Sequence, residues 1–246
     1  VNAQLASISD THVTYQKLQE TQRDLRTKVA RYHRHLEQFS ACRDAINAVE
    51  ASLKFGDGRC VLYRDFVNCY NERGTKVKNL ILVKITRGED GDLLVEKIHN
   101  FCTDKVSGCD AYFVADVFEH NMNSEEKGGG GLFDDIKEIF LSGDHGPHFA
   151  CVQTAYNEST FHNKWQKSVH PMFLCSYHAY NRCDGAGVTV KQAAELTARN
   201  NCGPITAEDY AHMMNTGSTF DTYSFSFSTI NRGATVFPKT LKKMKR

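Results

Sequence analysis

No run of apolar residues in this chain is long enough to cross a membrane, and no apolar leader opens it, so no membrane role is expected. Paired-cysteine motifs are also missing. There are nine cysteines, but the count is odd, the spacing is irregular and no CxxC occurs. That argues against a disulfide scaffold and for mostly free thiols in a reducing compartment. HExxH is absent, which removes the usual helical zinc-hydrolase signature. Neither charge sign is in excess: 30 basic residues face 29 acidic ones. A nucleic-acid binder usually carries an overall basic bias, so any such role must rest on local charge. Prolines are few, and no internal repeat is visible.

What remains is an ordinary globular composition, 41% hydrophobic and 24% charged. At 246 residues the chain can bury a real core, as one large domain or a domain with appendages. Its first residue, Val1, is that expected of a fragment or a processed chain.

Three segments are expected: 1–56, 57–203 and 204–246. Residues 10–54 contain no Gly or Pro and read as one long helix or a helical hairpin, with Asp10 as N-cap. Leu18, Leu25, Val29, Tyr32, Leu36, Phe39, Ile46, Val49 and Leu53 recur in steps of seven, four and three, a stripe on one face. Three roles fit that stripe: packing on the following domain, a coiled-coil dimer, or a basic face against DNA. Phe55-Gly56-Asp57-Gly58 ends the segment.

From Arg59 the period changes. RCVLYRDFVNCY, KVKNLILVKITR and LLVEKIHNFC read as three strands joined by turns at 71–74 and 88–92, an antiparallel meander. DAYFVADVF is a short strand or a helix start, and LFDDIKEI has helical spacing. IFLSGD reads as a buried strand, FACVQTAYNESTFHNKWQK as a helix, HPMFLCSY as another buried strand, and CDGAGVTVKQAAELTARN as a helix. ITAEDYAHMM looks helical, and STFDTYSFSFSTI alternates like an edge strand or an extended arm. The order β-β-β-α-β-α-β-α is that of an RNase H-like fold: an α/β mixed sheet flanked by helices.

Three aspartates stand out on this framework. Asp65 lies inside an apolar, aromatic strand, where a carboxylate is costly unless paired or metal-bound. Asp144 follows a buried strand and precedes His145-Gly146-Pro147, a tight exposed strand end. Asp184 sits in Cys183-Asp184-Gly185-Ala186-Gly187, at the start of a helix. Phosphoryl transfer at a nucleic-acid backbone needs the attacking and leaving oxygens stabilised together, which two Mg²⁺ (or Mn²⁺) ions on convergent carboxylates can do. Taken singly, each aspartate also fits a plain role: an edge-strand residue facing water, a turn residue and a helix cap.

The chain resembles eukaryotic transposon-derived DDE/D transposase-like proteins over roughly residues 59–200. It has Asp65-Phe66 with Tyr70, Ser142-Gly143-Asp144-His145-Gly146 with Phe149, and His178 followed by Asp184-Gly185-Ala186-Gly187 and Val190-Lys191. Val114-Ala115-Asp116 with His120 resembles a further segment of the family. The resemblance implies metal-dependent DNA strand cleavage and transfer by Asp65, Asp144 and Asp184, with His178 aiding the reaction. Asp116 and Glu119 are lesser candidates for an accessory carboxylate. Two departures stand against it. The family's Gly-Lys-Gly after the histidine is Ala179-Tyr180-Asn181, and an extra glycine separates Ser142 from Asp144. Such changes fit a diverged active enzyme or a domesticated, catalytically inactive binding module.

Local charge bears on DNA as a partner. The last eight residues, KTLKKMKR, hold five basic side chains and no acid. Lys242, Lys243, Lys245 and Arg246, with Lys191, are expected phosphate contacts, and the tail can serve as a nuclear import signal. A nuclear or otherwise intracellular location is therefore expected; a solvated terminus is the plain alternative. His145, His148, Cys151, His162, His170, Cys175, His178 and Cys183 crowd the second and third motifs. Their spacings match no standard zinc finger, so structural Zn²⁺ is a lesser expectation beside buried thiols and hydrogen-bonded imidazoles.

Overall fold

The structure, a computed structural model, describes residues 2–70, 76–102, 110–123, 131–144, 146–173, 182–200, 206–216, 225–230 and 237–238. The chain divides into two compact units, Val1–Ala41 and Cys42–Arg246.

The first helix, α1, runs from Asn2 to Ser52 without a break, so Asp10 lies within it and does not cap it. A single helix replaces the hairpin alternative, because nothing between residues 2 and 52 interrupts the backbone ladder. Its end is set chemically. Gly56 and Gly58 take φ of 69° and 70°, and the Asp57 carboxylate accepts from the Lys54 and Arg59 amides. The apolar stripe does not behave as one surface. Ile46 and Leu53 are buried, whereas Leu18, Leu25, Val29 and Tyr32 are exposed.

Within the second unit the strands are β1 (Arg59–Tyr70), β2 (Lys76–Arg87), β3 (Leu93–Cys102), β4 (Glu138–Gly143), β5 (Ser168–Phe173) and β6 (Phe225–Ile230). They form one sheet in the order β5-β4-β1-β2-β3-β6. The first three are an antiparallel meander, turned at Gly91 with φ 86°. β4 is parallel to β1, β5 to β4 and β6 to β3. This mixed sheet flanked by helices is RNase H-like, as the element order predicts. The turn expected at 71–74 lies outside the described residues.

The remaining helices are α2 (Ala111–Met122), α3 (Val152–Ser159), α4 (Phe161–Trp165), α5 (Arg182–Asn200) and α6 (Ala207–Thr216). Side chains alternate across β1 and build a separate core on each face. Val61, Tyr63, Val67 and Cys69 pack with Ile46, Cys183, Ala186, Val190 and Tyr210, on the face of α5, α6 and the end of α1. Cys60 and Leu62 pack with Phe113, Val117, Phe118, Phe149 and Phe161, on the face of α2 and α4. DAYFVADVF resolves as helix because Asp110 caps it, accepting from the Phe113 amide at 3.1 Å.

Three expectations change. LFDDIKEI forms turns that lead into β4, not a helix; the Phe133 and Ile136 carbonyls accept from the buried Lys167 Nζ at 2.5 and 2.7 Å, and Lys84 Nζ takes the Leu132 carbonyl. The helix expected from Phe149 divides into α3 and α4 at Thr160, and Gln166 at φ 56° closes α4. HPMFLCSY is expected to be buried; its first four residues end β5, Ser168–Phe173, which lies at the edge of the sheet and is largely exposed, while 174–177 lie outside the described residues.

Candidate functional site

β1 and β4 run parallel and in register, Tyr63 opposite Ser142 and Arg64 opposite Gly143. Asp65, on β1, and Asp144, just past the end of β4, each follow that last rung, where neighbouring strands lie about 4.8 Å apart in the hydrogen-bonding direction. Asp65 shares the face of Tyr63 and Val67, toward α5. It is half-buried, and its Oδ1 accepts from the Phe66 amide at 2.7 Å.

Asp184 lies in the first turn of α5. Gly187, one turn on, sets how closely that helix approaches the sheet. A β-carbon there would lie 2.8 and 3.1 Å from the Val67 methyls and 3.4 Å from Ile81. Cys183 marks the contact point. Its thiol donates to the Ile81 carbonyl at 3.7 Å, and Ile81 is the cross-strand partner of Asp65. Burial pushes the Cys183 thiol well above its ordinary pKa, and the Asp65 and Asp184 charges push it the same way. The two carboxylate charges therefore act on one un-ionised thiol.

Asp144 is held differently. Its Oδ1 accepts from the Gly146 amide at 3.0 Å and lies 3.6 Å from His148 Nε2, so the carboxylate folds back over its own turn. That turn docks on β1. Phe66 stacks on Phe149 at 5.6 Å and meets His148 edge-on at 4.8 Å. Thr154 Oγ1 donates to the His148 carbonyl at 2.7 Å and ties the turn to α3. Burial lowers the pKa of His148; Asp144 opposes that and Arg64 reinforces it. The ring is therefore mostly neutral at pH 7.

Arg64 is fully buried beneath this turn. Its Nη1 pairs with Glu158 Oε1 at 2.5 Å, and its guanidinium carbon lies 4.6 Å from the Phe149 ring centre. Burial lowers its pKa, while Glu158 and Asp144 raise it. Nε and Nη2 have no hydrogen-bond partner among the described residues. Arg64 and Glu158 were not singled out from sequence, whereas His148 was named there among the residues crowding the second motif. An arginine inside an apolar strand is a readable demand for a buried carboxylate, but nothing in the sequence names Glu158 as the answer.

The other candidates do not join the three aspartates. Asp116 and Glu119 lie on α2, whose core contacts are on the opposite face of the sheet, and Glu119 pairs with Lys164 at 2.8 Å. Lys191 is exposed on α5, two turns from Asp184 on the same side of the helix. His162 is exposed on α4, and His170 meets Glu138 at 2.8 Å on the sheet edge. His178, His145, Cys175, Lys242, Lys243, Lys245 and Arg246 lie outside the described residues. Three carboxylates are the right chemistry for a hard, oxygen-seeking cation. Among the described residues, however, no three His, Cys, Asp or Glu side chains are gathered to hold a metal ion. Nor is any helix among them long and apolar enough to cross a membrane.

No protein-family model matches the chain, and no curated protein matches it. One similar solved structure is a chain in the cryo-EM structure of the simian T-cell lymphotropic virus intasome in complex with PP2A regulatory subunit B56 gamma. The likeness is weak: 11% identity and a TM-score of 0.36 over 65% of this chain. It spans about half of the other chain, 49%, and nothing about chemistry follows from it.

Proposed function

We propose that the second unit is a phosphoryl-transfer domain that cleaves or transfers DNA strands, with Asp65, Asp144 and Asp184 as its working carboxylates. The observation that carries this reading is the parallel β1–β4 pairing. It brings Asp65 on β1 and Asp144, just past the end of β4, to the same level, while the charges of Asp65 and Asp184 both act on the Cys183 thiol. The three residues come from separate segments, as the chemistry requires: Asp65 from β1, Asp184 from α5 and Asp144 from the turn after β4.

Mg²⁺ or Mn²⁺ held by these carboxylates would activate the attacking oxygen and stabilise the leaving one. The chain's own contributions can be named. β1 fixes Asp65 through its pairing with Ile81 of β2, one residue past the last β1–β4 rung, and Gly187 lets α5 bring Asp184 close to the same face. The Asp144 carboxylate must exchange its bond to the Gly146 amide for the shared site. His148, mostly neutral beside Asp144, is suited to accept a proton from an attacking hydroxyl. His178 keeps this role as an alternative. Lys191 and the basic tail, Lys242, Lys243, Lys245 and Arg246, would contact backbone phosphates, and the tail would also suit nuclear import.

The test is cleavage of labelled duplex and single-stranded DNA by the purified chain with Mg²⁺ or Mn²⁺. Asp65→Asn, Asp144→Asn and Asp184→Asn should each lower the rate about a hundredfold or more with the fold intact by circular dichroism. Unchanged cleavage in all three variants sinks the proposal.

One observation favours a second reading, a catalytically inactive binding module. The Asp144 carboxylate is engaged within its own turn, and no three-ligand cluster exists among the described residues. Calorimetry with Mn²⁺ separates the two. Heat of binding that disappears in Asp65→Asn supports the enzyme, and DNA binding without ion binding supports the module.

A further inference from the structure

The helix α1 carries a seam of apolar and aromatic residues that is exposed over most of its length. From Tyr15 to Phe39 its apolar and aromatic residues, with Gln22 among them, keep a seven-residue repeat. One row is Leu18, Leu25, Tyr32 and Phe39, and the other is Tyr15, Gln22, Val29 and Leu36. These are the d and a positions of a heptad. An α-helix that packs on a globular face follows a period of 3.6, whereas a strict period of 3.5 belongs to helices that wind around one another. The seam is open to solvent. Tyr15, Leu18, Leu25, Val29 and Tyr32 are 54–63% exposed. The same row continues to Ile46 and Leu53, which are buried in the core of the second unit. The exposed stretch, Tyr15 to Leu36, is the part open to a partner.

We propose that residues 15–39 form a parallel, in-register, two-stranded coiled coil with the same residues of a second copy of this chain. Three features choose that occupant. Val29 at a with Leu18 and Leu25 at d is the β-branched and γ-branched arrangement that favours two parallel strands. Gln22 is the one polar side chain in the seam. Facing its own copy, its amide can both donate and accept; facing an apolar residue it would be buried unsatisfied. In-register pairing satisfies it, and any shift by a heptad does not. The length also suffices. The 25 residues from 15 to 39 cover about 37 Å of helix. Eight seam positions with their flanks supply on the order of 800 Å² per copy, the size of a standard specific interface.

Charge on the flanks neither drives nor prevents this pairing. The positions beside the seam, Gln19, Thr21, Arg26, Lys28, His33 and His35, include no acid. Lys28 is already paired with Asp24 of its own helix at 2.6 Å. In the parallel pair Arg26 meets Thr21 and Lys28 meets His33 of the other copy. A helix with acidic flanks is the competing occupant, and salt distinguishes the two. An apolar seam holds at high ionic strength, whereas a charge-matched pair loosens.

The experiment is sedimentation of the 246-residue chain across a concentration range, at about 0.05 M and about 0.5 M salt. A dimer at both salts is expected, and the double substitution Leu25→Glu with Tyr32→Glu should yield monomers with the thermal transition of the α/β unit unchanged. Mild oxidation of Gln22→Cys should then give a covalent dimer in several-fold excess over the unsubstituted chain. Any of four results overturns the proposal: a wild-type monomer, a dimer that dissociates at high salt, a dimer that survives the double substitution, or a wild-type dimer without excess cross-linking at position 22. A monomer that instead takes up a designed heptad peptide with Glu on both flanks would assign the seam to an acidic helix.

Discussion

Arg64 and Glu158 show what one buried pair decides. Neither is a candidate ligand, yet they lock the turn that carries Asp144 onto β1 and α3. Removing one partner leaves the other charged and dry. Glu158→Gln should therefore cost about 3 kcal/mol of unfolding free energy, read from urea denaturation. The double change Arg64→Met with Glu158→Leu should recover most of that loss, because an apolar pair of similar volume carries no desolvation penalty. A second residue-scale case is His99. It is buried, and its Nδ1 lies 2.9 Å from the Asn79 amide nitrogen, which donates to the neutral ring. Burial lowers its pKa to about 3. The unfolded chain binds the proton near pH 6.5 and the folded one only near 3. Stability from the neutral ring is full above pH 6.5 and falls as pH drops through that window, by up to about 1.4 kcal/mol per pH unit. In His99→Gln, unfolding measured from pH 7 to pH 4 should show a shallower fall. An unchanged slope would remove His99 from the account.

At the scale of elements, the approach of α5 to β1 is the sensitive dimension. Gly187 is the second glycine of Asp-Gly-Ala-Gly, and the structure gives it a packing reason: a methyl group there meets Val67 at 2.8 Å. Gly187→Ala should lift the helix, cost roughly 1–3 kcal/mol by thermal denaturation, and carry Asp184 away from Asp65. Gly185, two residues earlier, has nothing within 4 Å of a built β-carbon. Gly185→Ala should therefore be nearly neutral or slightly stabilising, through the higher helix propensity of alanine. Equal losses in both variants would mean that glycine flexibility, not close packing, is what matters there.

For the whole molecule, the division at Ala41 and Cys42 sets an expectation. The helix end that the core uses begins after the division: Ile46 and Leu53 pack on the sheet, and Glu50 accepts from the Tyr63 hydroxyl at 2.7 Å and from Arg182 at 2.9 Å. A chain beginning at Cys42 should unfold cooperatively, with a melting temperature within a few degrees of the full chain at low concentration. A chain beginning after Phe55 loses those contacts and should melt far lower. Calorimetry of the two truncations checks this.

The sequence by itself determined the element order, the meander, the long helix and its glycine stop. These depend on period, propensity and turn chemistry, which are local. It also marked the three aspartates, because a carboxylate beside apolar strands is visible in one dimension. It misread the segments whose backbone bonds go to distant groups. LFDDIKEI has helical spacing, but Lys167, more than thirty residues away, holds its carbonyls in turns. HPMFLCSY is apolar enough for a buried strand, yet strand order puts its described part, residues 170–173, at the edge. Only the tertiary structure decided that Asp65 and Asp144 follow the same rung and that Asp116 and Glu119 belong to the other face. It also decided that Asp144 is engaged by its own turn. The reason is the same in each case: strand pairing, the choice of face and the partners of a buried charge are relations between residues far apart in the chain.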